Sequence, residues 1–328
     1  MRLALVALAA LVAAAAHGAA AETIKIGMQK PVGGPLYIAD AKGYYAAEGL
    51  TPDYVFFEAG EPIAVAVASG AVDFGVAGLT GGFYSLAGKG ALRIIAGQTH
   101  EVPGFPANTV AASNKAFEVG LKSVKDLPGH SVAITQIGSA FHYDLGLLAD
   151  KYRFDLKSIR LMPLQTNPNA VAAVVGNSAD AVVTIAPWVR PAINKGDAKL
   201  LAYIGDEAPW QLAVAFTATK TANERHDTVE RFLRALRKAT RDYHDAFTGA
   251  DGKRADQASA PEILAILAKY TGQSPDILDQ GLGYMDREAR LDVPDVLHQI
   301  AWYRAQGMVK SDFNAEDIID KRYVVPLK

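Results

Sequence analysis

Short β-branched runs alternate with helix-length stretches that stop on glycine, and this alternation restricts the chain to an α/β architecture more tightly than any other feature. Strands are expected at Thr23–Met28, Thr51–Phe57, Val72–Ala77 and Leu92–Gly97. The segments between them end at Gly43, Gly49, Gly70 and Gly90, where glycine supplies the left-handed residue that closes a helix. Such alternation implies a parallel sheet flanked by helices. A second set follows, with strands near Thr109–Ala112, Ser131–Thr135, Ile159–Pro163, Ala181–Ile185 and Lys199–Ile204. Beyond Phe216 the pattern turns to helices only. The strongest carries Val229, Phe232, Leu233, Leu236, Tyr243 and Phe247 on one face, with Asp227 and Glu230 placed to cap its start. Ser259 to Glu262 reads as a capping box for a helix closed by Gly272, and Asp292 to Asp295 starts another ended by Gly307.

A chain of 328 residues, half of them hydrophobic, has material for two cores of ordinary size. No repeat or long linker separates the two sets, so two lobes are expected to be joined by short crossing strands, with Asn108–Ser113 and Leu212–Thr217 as candidates. The 33 basic residues balance 35 acidic ones, which leaves no positive excess for a nucleic acid partner. Residues 1–21 read as a secretory signal peptide: Arg2, an apolar run from Leu3 to Ala16, then small residues at Ala19 and Ala21 before Glu22. The run is too short to span a hydrocarbon layer of about 30 Å. Cleavage after Ala21 would place the mature chain in the periplasm without a membrane anchor. The absence of cysteine removes disulfides, thiolate metal sites and a lipid attachment point.

At Pro35-Leu36-Tyr37-Ile38-Ala39, Gly43-Tyr44-Tyr45 and Glu48-Gly49-Leu50 the chain resembles the NMT1-like periplasmic binding proteins, a group that includes sulfonate, taurine, nitrate and thiamine-precursor binders. The resemblance continues through Ser69 to Gly75, Asp126-Leu127-Pro128-Gly129, Asp180-Ala181, Ala186-Pro187-Trp188 and the helix around Phe232, and spans nearly all of the mature chain. Ala186 departs from the pattern, since many relatives carry Glu or Asp before Pro-Trp. The resemblance implies a two-lobed, type II periplasmic-binding-protein fold with a ligand in the cleft between Rossmann-like lobes. Residues 22–107 and 217–328 would form lobe I, and 108–216 lobe II.

Ligands of open α/β sheets sit beyond the carboxyl ends of the strands, and that rule selects the candidate contacts. The loop from Gln29 to Leu36 contains Gly33 and Gly34, whose amides can face a ligand. A plain strand-to-helix turn accounts for the same glycines. Thr80 and Gly81 form a second turn before Phe83 and Tyr84. The polar triplet Gln98, Thr99 and His100 ends the run that starts at Leu92. In the second lobe Ser139 can cap a helix starting at Ala140 and holding His142, so that its first amides receive an anionic or strongly polar head. Trp188 offers a flat wall and Arg190 a bidentate partner for a carboxylate or sulfonate.

The function expected is that of a monomeric solute-binding subunit that hands a small organic anion or polar compound to the permease of an ABC importer. No Gly-x-Ser-x-Gly motif, phosphate loop, His-x-x-x-His pair or thiol provides catalytic or metal-binding machinery, and no cofactor is expected. A thiamine-pyrimidine-type precursor binder or enzyme of the resembled group, and a ligand-binding sensor subunit, are the alternatives.

Overall fold

The computed structural model describes residues 21–30, 34–310 and 312–327. The expected signal segment up to residue 20, and Gly33 of the first loop, lie outside the described residues. The strands are β1 (Glu22–Met28), β2 (Leu50–Phe56), β3 (Phe74–Gly78), β4 (Leu92–Gly97), β5 (Thr99–Glu101), β6 (Asn108–Ser113) and β7 (Ser131–Ile134). They continue with β8 (Arg160–Pro163), β9 (Ala181–Ile185), β10 (Ala198–Tyr203), β11 (Trp210–Gln211), β12 (Ala213–Ala218) and β13 (Tyr284–Met285).

Two five-stranded sheets, one per lobe, follow the orders β2-β1-β3-β12-β4 and β10-β6-β9-β7-β8. Neither is purely parallel, which corrects the expectation from strand-helix alternation. β1 runs parallel to β2 and β3, whereas β12 lies antiparallel between β3 and β4. In the second sheet β7 is parallel to β8 and β9, and β6 is antiparallel to β9 and β10. The reversed strands, β6 and β12, are those that enter a sheet immediately after the chain has crossed from the other lobe. Arriving from outside the βα winding, each inserts against its direction.

The crossing itself falls upstream of the segments expected to make it. Asn108–Ser113 lies inside the second sheet and Ala213–Ala218 inside the first, so residues 213–216, grouped with lobe II by sequence, hydrogen-bond in the first sheet. The chain passes between lobes along β5 and β11, which pair antiparallel and are joined by β13 into a third, three-stranded sheet. β13 also interrupts the all-helical stretch expected beyond Phe216.

The long helix His226–Phe247 buries the expected stripe, with the Phe232 ring stacked 4.0 Å from that of Phe74. Its cap differs from expectation: Arg225 is the N-cap, and Asp227 sits in the first turn with its carboxylate 2.7 Å from Arg231 Nε. Ser259 does not cap either, because its backbone (φ −86°, ψ −8°) is already helical and a capping hydroxyl needs extended backbone. Asp292 caps Val293–Ala305 as expected, accepting from the Asp295 amide. Gly43, Gly49, Gly70 and Gly90 all have φ between 66° and 79°, the left-handed region inferred from their positions.

Candidate functional site

The C-terminal edges of the two sheets face each other, and the lobes are in contact across that gap. Gly81 N–H donates to Gly138 O at 2.9 Å, Tyr303 OH to Ser139 O at 3.1 Å and Trp188 Nε1–H to Lys30 O at 3.3 Å. Behind these contacts lie two adjoining cavities, each with about 70 Å³ of room, that share Thr99, Ile185 and Leu212. One has the polar side chains of Gln29, Gln98, Thr99 and Asn108 among its walls. The other is apolar, closed by Tyr243, Leu267, Leu278 and Met285 from the C-terminal region. Lobe I, lobe II and the crossing strands all contribute, so the space exists only while the lobes are together.

Local structure explains the polar groups. β4 ends at Gly97, where a Cβ would stand 2.1 Å from Arg290 O, so only glycine lets the chain turn out of the sheet. Gln98 and Thr99 follow at once, with Thr99 Oγ1–H donating to Gln98 Oε1 at 2.6 Å. Gln98 Nε2 reaches Met285 Sδ at 3.6 Å, a weak acceptor. Gln29 follows the last residue of β1 and donates Nε2–H to Glu58 O at 3.1 Å. Gly34 opens the helix Gly34–Ala41 beneath the Tyr243 ring, 3.1 Å from where its Cβ would be. Tyr243 OH donates to Gly283 O at 2.9 Å. Ala140, the first residue of the helix Ala140–Tyr152, completes the polar cavity.

The other expected contacts sit elsewhere. Thr80 caps the helix Gly81–Gly88, accepting from Phe83 N–H at 3.0 Å, and neither it nor Gly81 reaches the two cavities. His100 lies on β5 with its ring edge-on to Tyr284, and burial lowers its pKa. Ser139 caps its helix as expected, although its carbonyl is engaged by Tyr303. His142 turns back, its Nδ1 accepting from Gly138 N–H at 3.1 Å and its ring edge-on to Trp302, and burial lowers its pKa to about 4. Trp188 spans the lobes as a hydrogen-bonding link and does not line the cavities. Arg190 points away, with Nε 3.4 Å from Gln280 O and its guanidinium over the Tyr203 ring. Ala186 is fully buried, its N–H donating to Ala107 O.

Asn108 is the contact that sequence reading missed. It is fully buried at the start of β6, the one amide side chain of a strand that continues Thr109-Val110-Ala111-Ala112, and that polarity was the available signal. Its backbone N–H donates to Glu101 Oε1 at 2.8 Å and its Nδ2–H to Asp144 Oδ2 at 2.7 Å. Glu101 and Asp144 are both fully buried, and burial pushes both carboxyls well above the ordinary range.

The NMT1/THI5 like family model matches residues 30–246. A Bacillus subtilis (strain 168) protein described as an aliphatic sulfonates-binding protein is 27% identical over 231 residues, 66% of this chain and 64% of that protein's length, which is under two thirds of it. The solved alkanesulfonate-binding protein SsuA from Xanthomonas axonopodis pv. citri, bound to MOPS, superposes with a TM-score of 0.73 at 21% identity, covering 91% of this chain and 98% of that one. The solved desulfurization enzyme DSZB superposes at 0.61 with 13% identity, covering 93% and 96%. These likenesses establish the two-lobed binding-protein fold.

Proposed function

The chain belongs to the NMT1/THI5-like family, and from that premise we propose that it is the solute-binding subunit of an ABC importer, a periplasmic monomer released from a signal peptide of residues 1–21. It captures a small organic anion or polar compound between the lobes and carries it to a permease. Lobe I comprises the first sheet with the C-terminal helices, lobe II the second sheet, and β5 and β11 the hinge. Gln29, Gly34, Gln98, Thr99, Asn108 and Ala140 contact the ligand.

The observation that carries this reading is the enclosed space at the facing strand ends, lined by both lobes and by the hinge, because such a site couples ligand contact to lobe closure. The lining also favours binding over catalysis. Its titratable side chain, Tyr243, donates its hydroxyl to the backbone, and burial raises its pKa. The Thr99 hydroxyl is bonded to an amide and has no base beside it. No helix among the described residues is long and apolar enough to cross a membrane.

The test is a thermal-shift panel of sulfonates, carboxylates and amides, followed by small-angle scattering with whichever compound raises the transition most. At 100 times Kd, binding to the folded state adds about 2.7 kcal/mol. A binding subunit contracts and returns the compound chemically unchanged. Superimposable profiles, or a compound recovered as product, would overturn the reading.

A further inference from the structure

Among the described residues lining the two cavities none is Asp, Glu, Lys, Arg or His, so a charged ligand head would meet no opposite charge there. The polar side chains are three amides and the hydroxyls of Thr99 and Tyr243, and their bonds within the protein dictate what each has left to offer. Asn108, a lining residue, spends its Nδ2–H on Asp144, and its Oδ1 is buried and without a partner among the described residues. It therefore needs a donor. Gln98 shows the complement: its Oε1 is taken by Thr99, and its Nε2 has only a thioether, so it needs an acceptor. Gln29 donates to Glu58 O, and its carbonyl takes no donor from the described residues.

We propose that the ligand is an uncharged molecule presenting an N–H or O–H donor to Asn108 Oδ1 beside an acceptor for Gln98 Nε2, as a carboxamide or lactam edge does, with an apolar body against Tyr243 and Leu267. This rests on the reading of the interlobe space as the ligand site. A sulfonate or carboxylate has no donor to give and sets its oxygens against Asn108 Oδ1. His142 and Tyr143 N–H are taken by Ser139, and the first-turn amides of Ala140 and Phe141 would serve a carbonyl of a neutral ligand as well as an anion.

Benzamide, benzoate and benzenesulfonate share one ring and differ in the head group. Titration calorimetry of the mature chain with each, repeated on Gln98→Met and on Ile185→Trp, separates the outcomes. Gln98→Met removes the donor at similar volume, and Ile185→Trp fills the space shared by both cavities. The expected result is that benzamide binds at least 100-fold tighter than benzenesulfonate, weakens at least tenfold in Gln98→Met and is lost in Ile185→Trp. Tighter binding of benzoate or benzenesulfonate that Ile185→Trp abolishes would overturn the neutral-ligand inference and leave the solute-binding reading standing. If no probe shows binding that depends on Ile185, both are overturned.

Discussion

Acidification should weaken this fold through His142, and the size of the effect follows from its surroundings. The imidazole is buried at the start of the Ala140–Tyr152 helix, edge-on to Trp302 at 5.5 Å, and burial alone holds its pKa at about 4. Unfolded, it titrates near 6.5. The unfolded chain thus takes up the proton first, so the stability is fully present above pH 6.5 and is lost as pH falls toward 4. A difference of about 2.5 units corresponds to roughly 3 kcal/mol over the whole window, of which about 2 kcal/mol disappears between pH 7 and pH 5. Protonation also removes the acceptor for Gly138 N–H, in the loop whose Gly138 carbonyl receives the Gly81 amide from the other lobe. His142→Asn keeps an acceptor near the Nδ1 position and cannot titrate. Urea unfolding at pH 7 and pH 5 gives the decline for each protein. His100, also held below its ordinary value by burial, contributes equally to both and cancels. The variant should lose about 2 kcal/mol less than the parent on acidification, whatever its stability at pH 7. Equal declines within about 0.5 kcal/mol would refute the assignment.

Three further outcomes are expected. Asp144→Asn retains an acceptor for Asn108 Nδ2–H and removes a carboxyl whose pKa burial has raised, so the parent should lose stability relative to the variant as pH rises above the ordinary carboxylate range; thermal melts at pH 4.5 and pH 8 that leave the gap between them unchanged would count against this. Gly146→Ala places a Cβ 2.4 Å from the Trp302 ring, where the Ala140–Tyr152 and Val293–Ala305 helices cross, and should cost about 1–3 kcal/mol of overpacking, read as a lowered thermal midpoint. Trp188→Phe removes the indole N–H that links lobe II to Lys30 O without touching the cavities; on the proposed function it should weaken ligand binding about fivefold, some 1 kcal/mol, mainly through faster release, and a dissociation rate equal to the parent's would remove Trp188 from the closure mechanism.

Much of the lobe architecture is legible in the linear pattern because strand alternation, helix periodicity and glycine stops are local. The positive φ of Gly43, Gly49, Gly70 and Gly90, the strand Leu92–Gly97, the strand Ala181–Ile185 and the Asp292 cap all depend on neighbours a few residues away. Local rules also go wrong locally, as when Ser259 adopts helical backbone and so gives up its capping geometry. Gln29, Gly34, Gln98, Thr99 and Ala140 were reachable from sequence because strand ends and helix starts mark the binding edge of any α/β sheet.

Tertiary structure alone decided the rest, because direction and partnership are properties of space and not of spacing. The antiparallel insertion of β6 and β12 and the pairing of β5 with β11 follow from how the chain crosses between lobes, which no residue pattern encodes. Trp188 and Arg190 carry the right chemistry for a ligand, but the packing turns one into a link to Lys30 and the other onto Tyr203. Asn108 became a site residue only because Asp144, 36 positions away in sequence, takes its amide hydrogen and leaves its carbonyl buried and unmatched. A side chain's type states what it can bond. The fold determines which of those bonds remain unmade.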